Sequence, residues 1–179
     1  MEFSHSLVNS TMQQEEQHMS TKHMLSDEWC FWAHLPHDTD WSLNSYKNIY
    51  NLKTAEDVIA LNETLPCNLV TNCMLFIMRK GITPLWEDPK NRAGGCFSYK
   101  VNNKIVIECW KSLSYALLGE TLLKNSIDSN LLTGISISPK KNFCVIKIWF
   151  QDCSITDPNI IIDIEGLESD SSIFKKHIN

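Results

Sequence analysis

An indole and a carboxylate stand side by side as Trp86 and Glu87, within the stretch 81–91. Pro84 and Pro89 restrict the backbone on either side of the pair, so the stretch predicts a rigid loop that presents both side chains outward. An indole face attracts a cation through its quadrupole, and a carboxylate accepts a pair of N–H donors. The pair therefore suits a planar, cationic ligand that is rich in donors.

Two further tryptophans are candidates for the same kind of site. Trp41 follows a short polar loop, which predicts an exposed indole at the loop end, and Trp149 ends an apolar run that predicts a strand. Each of them, like Trp86, also fits a structural interpretation, because tryptophan is usually packed against a protein core. The residue types alone leave both interpretations open.

Length and composition exclude several classes of protein. The 179 residues fit one domain, and a net charge of −5 argues against a protein that coats nucleic acid through a general positive field. The seven cysteines show no C-x-x-C spacing, which predicts reduced thiols and gives no support to a disulfide framework or a metal site. No apolar run approaches the roughly twenty residues of a membrane span, and no secretory signal is present, so a cytoplasmic protein is predicted. Frequent Asn and Ile, with Lys preferred to Arg, are typical of an AT-rich genome, such as that of a protist or a large DNA virus.

The elements that must position these side chains belong to a predicted α+β domain over residues 26–179, which follows a disordered tail over residues 1–25. Strands are predicted first, helices are inserted between antiparallel hairpins, and no βαβ rhythm is present. Strands are predicted at 28–33, 45–52, 73–79, 96–101, 134–138, 143–150 and 173–178, and helices from Thr54 to Pro66, from Asn102 or Asn103 to Glu120, and from Thr156 to near Gly166. The order predicts a curved antiparallel sheet with three helices packed on its convex face and a free concave face.

The loop sequence resembles the central signature of the eukaryotic translation initiation factor 4E family. Its residues read Gly-Ile-x-Pro-x-Trp-Glu-Asp from Gly81 and continue to the pair Gly94-Gly95. Trp41, Trp110 with Gly119-Glu120, and Trp149 also occur in order and at near-family spacing. The resemblance covers residues 25–150 and identifies the chain as a divergent member of this family of messenger-RNA cap-binding proteins.

The resemblance implies a function and a role for each site residue. The ligand would be the 7-methylguanosine triphosphate cap of mRNA, bound without catalysis or cofactor by a monomer that acts in cap-dependent translation initiation. Trp41 and Trp86 would sandwich the methylated base, Glu87 would accept its N1–H and N2–H₂, and Trp149 would close over the methyl group.

The phosphate-binding positions depart from the family pattern. Aligned on the family, Cys96 stands at the first of two arginine positions, Lys140 at the second, and Val145 at a lysine position. Lys147 and Lys141 are the available substitutes, and Lys90 and Arg92 are further candidates. The sequence therefore predicts a site that depends more on the base and less on the phosphates.

The partner-binding surface departs as well. Family members bind the scaffold factor 4G through a helical surface, of which this chain keeps His23 and Leu25. Ile59 stands where a tryptophan would be and Tyr115 where a leucine would be, so an altered partner is expected. The alternative function is a competitor or repressor that sequesters capped mRNA without recruiting the scaffold factor.

An enzyme remains a separate alternative. It would use Cys96 as a nucleophile with a histidine such as His34 or His37, and it requires an activated thiolate and a base in reach. Nothing in the sequence indicates either.

Overall fold

The structure of the protein is a computed structural model that describes residues 22–178. Most of the tail predicted at residues 1–25 lies outside the described residues. Residues 22–25 are described, and Met24 and Leu25 belong to the first strand, which therefore begins before its predicted start at Glu28.

Within residues 22–178, seven strands form one antiparallel sheet, as predicted for the α+β class. The spatial order of the strands is β2-β1-β3-β5-β6-β4-β7, and every neighbouring pair is antiparallel. The strands are β1 Met24–His34, β2 Tyr46–Thr54, β3 Met74–Arg79, β4 Gly95–Asn102, β5 Leu132–Pro139, β6 Phe143–Phe150 and β7 Ile173–Lys176. Strands β5 and β6 form the hairpin that the sequence predicts.

The helices are α1 Ala55–Thr64, α2 Cys67–Asn72, α3 Pro89–Arg92 and α4 Val106–Leu118. The predicted start of α1 at Thr54 is confirmed: the Thr54 hydroxyl accepts from the Asp57 N–H at 3.2 Å, and the Asp57 carboxylate accepts from the Thr54 N–H at 2.9 Å. This reciprocal pair satisfies two N–H groups that the first turn leaves free. No helix within residues 22–178 is long and apolar enough to cross a membrane.

Helix α4 begins later than predicted. Its N-cap is Ile105 rather than Asn102 or Asn103, because the Asn102 side chain instead accepts from the Lys104 N–H at 2.9 Å and forms a turn that precedes the helix. The helix ends at Leu118, two residues before the predicted end at Glu120, and the N–H of its C-cap residue Gly119 donates to Tyr115 O at 2.9 Å.

The prediction of a helix from Thr156 to near Gly166 is wrong. Only a short 3-10 turn forms, over Pro158–Ile160. The isoleucine run that follows pairs with residues 122–124 instead: the Ile162 N–H donates to Leu122 O at 3.0 Å, and Ile161 forms a bridge with Leu123. Tertiary pairing of β-branched residues therefore overrides the helix start. The third helix of the helical layer is α2, which the sequence did not predict.

The two faces of the sheet bury different sets of side chains. One face packs against α1, α2 and α4 in the main core, which includes Trp29, Trp110 and Leu113. The other face carries a smaller cluster around Tyr46, Phe76, Met78, Cys96 and Trp149, with Trp32 packed against it. The alternation of side chains along a strand explains why Trp29 and Trp32 of β1 lie on opposite faces, as predicted.

Candidate ligand-binding site

The loop that carries Trp86 is held by the Asp88 carboxylate. One carboxylate oxygen accepts from both the N–H and the hydroxyl of Thr83, each at 2.7 Å, and the other accepts from the Lys90 N–H at 2.9 Å. The second contact caps α3, and Pro89 occupies the first turn of that helix, where its missing N–H costs nothing. Asp88 thus ties the start of the loop to its end.

Asn91 holds the same loop from inside. Its side chain is fully buried and donates to Thr83 O at 3.1 Å and to Leu85 O at 2.8 Å, while Gly81 adopts a positive φ of 83° at the loop entrance. The Trp86 side chain remains 46% exposed on this backbone. The prediction of a constrained loop with an outward indole is confirmed.

Trp41 lies outside the core and is backed by His34. The indole is 59% exposed, and its ring stacks on the imidazole with centroids 4.5 Å apart and planes inclined by 6°. His34 Nε2 lies 2.9 Å from Asp40 O, and since a carbonyl only accepts, this nitrogen donates the hydrogen. Tyr46 packs edge-on against the same imidazole at 5.0 Å. One indole face is therefore covered by His34.

Trp149 is buried on the site face of the sheet. It is 6% exposed, its Nε1–H donates to Ser136 Oγ at 2.9 Å, and it stands opposite Cys96 in the β4–β6 ladder. Two open cavities of ≈ 160 and ≈ 210 Å³ adjoin the ring, and Trp86 and Lys147 line both of them. The structure thus brings Trp86, Lys147 and Trp149 together from a loop and a strand.

Glu87 follows Trp86 in the loop and is exposed, but it lines neither cavity beside Trp149. It lines a separate cavity of ≈ 410 Å³ together with Arg92. Burial raises the pKa of the Tyr46 hydroxyl, and the Glu87 charge raises it further. Since Tyr46 lines the smaller cavity beside Trp149, the Glu87 charge acts on the same part of the site.

The predicted phosphate-binding lysines are not all brought together. Lys140 and Lys141 are exposed in the loop between β5 and β6 and line neither cavity beside Trp149, whereas the half-buried Lys147 lines both. Lys90 is exposed on α3.

Sequence reasoning missed Lys175, Lys176 and His177, which line the larger cavity. The strand that carries the two lysines was predicted, and adjacent lysines in a strand were the available signal. Their place in the site depends on the pairing of β7 with β4, which joins residues far apart in the chain.

Cys96 has the environment of a structural thiol. It is 2% exposed, and burial raises its pKa, although the nearby charges of Lys147 and Lys175 oppose that rise. Its sulfur lies 3.8 Å from Ser98 Oγ, and His34 is engaged with Asp40. The burial of Cys96 therefore disfavours the thiolate that nucleophilic attack requires.

Two of the predicted partner-binding residues lie on helices, and the other two lie in β1 or just before it. Ile59 of α1 and Tyr115 of α4 are 53% and 39% exposed. His23 is exposed and pairs through Nδ1 with Glu56 Oε1 at 2.8 Å. Leu25 instead packs against the main core, so it offers less surface than an exposed contact residue.

The fold and the site define a class: an antiparallel α+β domain with an aromatic and lysine-lined slot on the sheet face opposite its main helices. Residues 24–178 match the family described as eukaryotic initiation factor 4E, and the chain belongs to this family.

Sequence relatives agree with this assignment, and a solved structure agrees with the fold. The chain is 30% identical over 141 residues to eukaryotic translation initiation factor 4E-2 of Schizosaccharomyces pombe, which covers 75% of the chain and 56% of that relative. The chain thus spans about half the length of this relative. It is 43% identical over 63 residues to a eukaryotic translation initiation factor 4E homolog of Acanthamoeba polyphaga mimivirus, covering 35% of the chain and 23% of that protein. Among solved structures, schistosome eIF4E complexed with m7GpppG and 4E-BP has the same fold, with a TM-score of 0.67, 22% identity and 75% of each chain covered.

Proposed function

We propose that this protein binds the 7-methylguanosine cap of mRNA and acts in cap-dependent translation initiation. The observation that carries the proposal is the convergence of the exposed Trp86, the buried Trp149 and the cationic Lys147 on one pair of cavities. Family membership and the cap dinucleotide bound by the schistosome protein support the choice of ligand.

The base would be recognised by stacking. N7 methylation makes guanine cationic, which strengthens its attraction to indole faces, and base–aromatic stacking is worth about 1–3 kcal/mol per base. Trp86 and the open face of Trp41 are the two indoles that would sandwich it. Trp41 lines neither cavity beside Trp149. A base held between the two indoles would therefore extend from these cavities to the loop that ends at Trp41.

The edge of the base would be recognised by Glu87. An ionised carboxylate accepts N1–H and N2–H₂ of guanine as a charge-assisted pair, which adenine cannot donate. This contact selects guanine, whereas the stacking selects the methylated, positively charged form. Trp149, whose ring is fixed by the Ser136 hydrogen bond, would contact the methyl group.

Every step in this scheme is non-covalent, so we propose a binding protein rather than an enzyme. The phosphate chain would lie toward Lys147, with Lys140 and Lys141 as the other lysines that the sequence predicts. The cytoplasm, where translation takes place, is the proposed compartment.

The helical side of the sheet would receive a protein partner. The schistosome relative is bound to 4E-BP, and here Ile59 and Tyr115 expose apolar surface on α1 and α4. The altered residues at these positions favour a modified scaffold partner and motivate the second candidate, a repressor that sequesters capped mRNA. Rescue of cap-dependent translation in a depleted extract distinguishes the two, because only an initiation factor restores it.

Retention on a 7-methyl-GTP resin tests the proposal. Trp41→Ala and Trp86→Ala should each reduce retention strongly, and 7-methyl-GTP should elute the protein at lower concentration than GTP. Tyr50→Ala is the matched control, because it removes an equally exposed aromatic ring from β2. Unchanged retention of both tryptophan variants, or equal competition by GTP, would contradict the proposed function.

A further inference from the structure

We propose that Lys147 and Lys175 form the anion-binding half of this site and hold the phosphate chain of the capped nucleotide from both sides of β4. The inference rests on the proposed function and assigns a residue of β7 that the family resemblance does not supply. It places the phosphate site at strands β6 and β7 rather than at the loop between β5 and β6, which carries Lys140 and Lys141.

The strand register places the two lysines on one face. Cys96 of β4 stands opposite Trp149 of β6 and opposite Lys175 of β7, and Ser98 stands opposite Lys147. Directly opposed residues of an antiparallel ladder point to the same face of the sheet. Lys147 and Lys175 therefore flank β4 on the face that carries Trp149.

The lysines and the aromatic rings share one cavity. The ≈ 210 Å³ cavity is lined by Trp86, Trp149, Lys147, Lys175 and Lys176. A nucleotide has the same division, with a flat base at one end and anionic oxygens at the other. A base on Trp86 would leave its phosphates next to the lysines.

No carboxylate among the described residues neutralises these lysines, and the Lys147 Nζ lies 5.8 Å from the centroid of the Trp149 ring. Within residues 22–178, Lys147, Lys175 and Lys176 form no ion pair with a carboxylate, whereas Lys53, Lys80, Lys111 and Lys124 do. The charges of Lys147 and Lys175 both act on the buried Cys96 thiol, where they oppose the rise in its pKa. Two ammonium groups near one sulfur, with no carboxylate partner within residues 22–178, form a local positive site in a chain of net charge −5.

His177 fixes β7 against the Trp86 loop. Its Nδ1–H donates to Asn91 O at 2.7 Å, and its backbone N–H donates to Gly94 O at 2.9 Å. Burial lowers the pKa of His177, the hydrogen bond to Asn91 opposes this shift, and the Lys147 charge lowers the pKa further, so the neutral imidazole is favoured. Its role is to hold Lys175 at a defined distance from the loop that carries Trp86.

Calorimetric titrations with 7-methylguanosine and 7-methyl-GTP test this assignment. Lys147→Ala and Lys175→Ala should each weaken 7-methyl-GTP binding by about tenfold, the usual effect of losing a hydrogen bond to a charged group, and should leave nucleoside binding unchanged. Lys175→Arg should retain most of the affinity, which shows that the variant site is folded. Lys124→Ala is the matched control, because it removes the same charge from a lysine that pairs with Asp163 at 3.8 Å.

The outcomes separate the two proposals. 7-Methyl-GTP should bind more tightly than 7-methylguanosine. If Lys140→Ala or Lys141→Ala removed this gain in affinity and Lys175→Ala did not, the inference would be overturned and the proposal of cap binding would stand. Equal loss of nucleoside and triphosphate binding in Lys175→Ala would also overturn it, because the lysine would then act on the base or on the fold. Failure of the unaltered protein to bind either methylated ligand would instead refute the proposed function.

Discussion

At the scale of single residues, the site depends on which face of each aromatic ring is open. His34 covers one face of Trp41, and its hydrogen bond to Asp40 O fixes the imidazole plane. The exposed indole is thereby held parallel to a ring that is itself 3% exposed. We regard His34 as a positioning residue, since it would act on the ligand only through Trp41.

His34→Ala should weaken 7-methyl-GTP binding about two- to tenfold, because an aromatic pair contributes about 0.5–1.5 kcal/mol beyond its buried area. His34→Phe should restore most of this loss, since it keeps a ring for the indole to stack on. Calorimetry on both variants, repeated in a Trp41→Ala background, provides the measurement. Equal effects of His34→Ala with and without Trp41 would show that His34 acts independently of the indole.

At the scale of elements, the site is a junction between the Trp86 loop, β4 and β7. Asn91 donates into the loop through its side chain and accepts from His177 through its carbonyl. A Cβ atom at Gly95 would lie 2.7 Å from Lys175 O, so only glycine permits β7 to approach β4 this closely. The loop that carries Trp86 and strand β7 therefore hold each other in place.

Asn91→Ala should lower the free energy of unfolding by about 1–3 kcal/mol, since it leaves the partly buried carbonyl groups of Thr83 and Leu85 without their donor. Affinity for 7-methyl-GTP should fall as well, because the Trp86 loop loses its internal support. Denaturant unfolding and calorimetry measure the two effects. Lys90→Ala, at an exposed position of the same helix, should stay within about 0.5 kcal/mol in stability; an equal effect of both variants would contradict the role assigned to Asn91.

The elements also show what the sequence could predict. Local signals succeeded: the capping residues of α1, the alternation that separates Trp29 from Trp32, and the prolines of the Trp86 loop all act over a few residues. The contribution of β7 could not be predicted, because it depends on which strand Lys175 pairs with. The helix predicted from Thr156 failed for the same reason, since its isoleucines pair with residues 122–124.

At the scale of the whole molecule, the sheet separates stability from recognition. Leu113 and the other main-core residues lie on the helical face, and the site cluster around Trp149 lies on the other. The two sets of side chains share the strands but not the same surface. Core substitutions should therefore change stability without changing ligand preference.

Leu113→Ala should destabilise the protein by about 2–5 kcal/mol, because it removes a fully buried side chain and leaves a cavity. Affinity for 7-methyl-GTP should be unchanged at a temperature where the variant is folded. Thermal unfolding and calorimetry test this pair of outcomes, with Leu69→Ala as the control for a leucine that is 37% exposed. A parallel loss of affinity would show that the two faces are coupled.

The uneven exposure of the six tryptophans also makes the molecule its own optical probe. Trp41 and Trp86 are the most exposed of them, whereas Trp29, Trp110 and Trp149 are buried. Iodide in solution reaches only exposed indoles, so it should extinguish the red-shifted part of the emission and spare the rest. Protection of that part from iodide would then report occupancy of the slot without any attached dye.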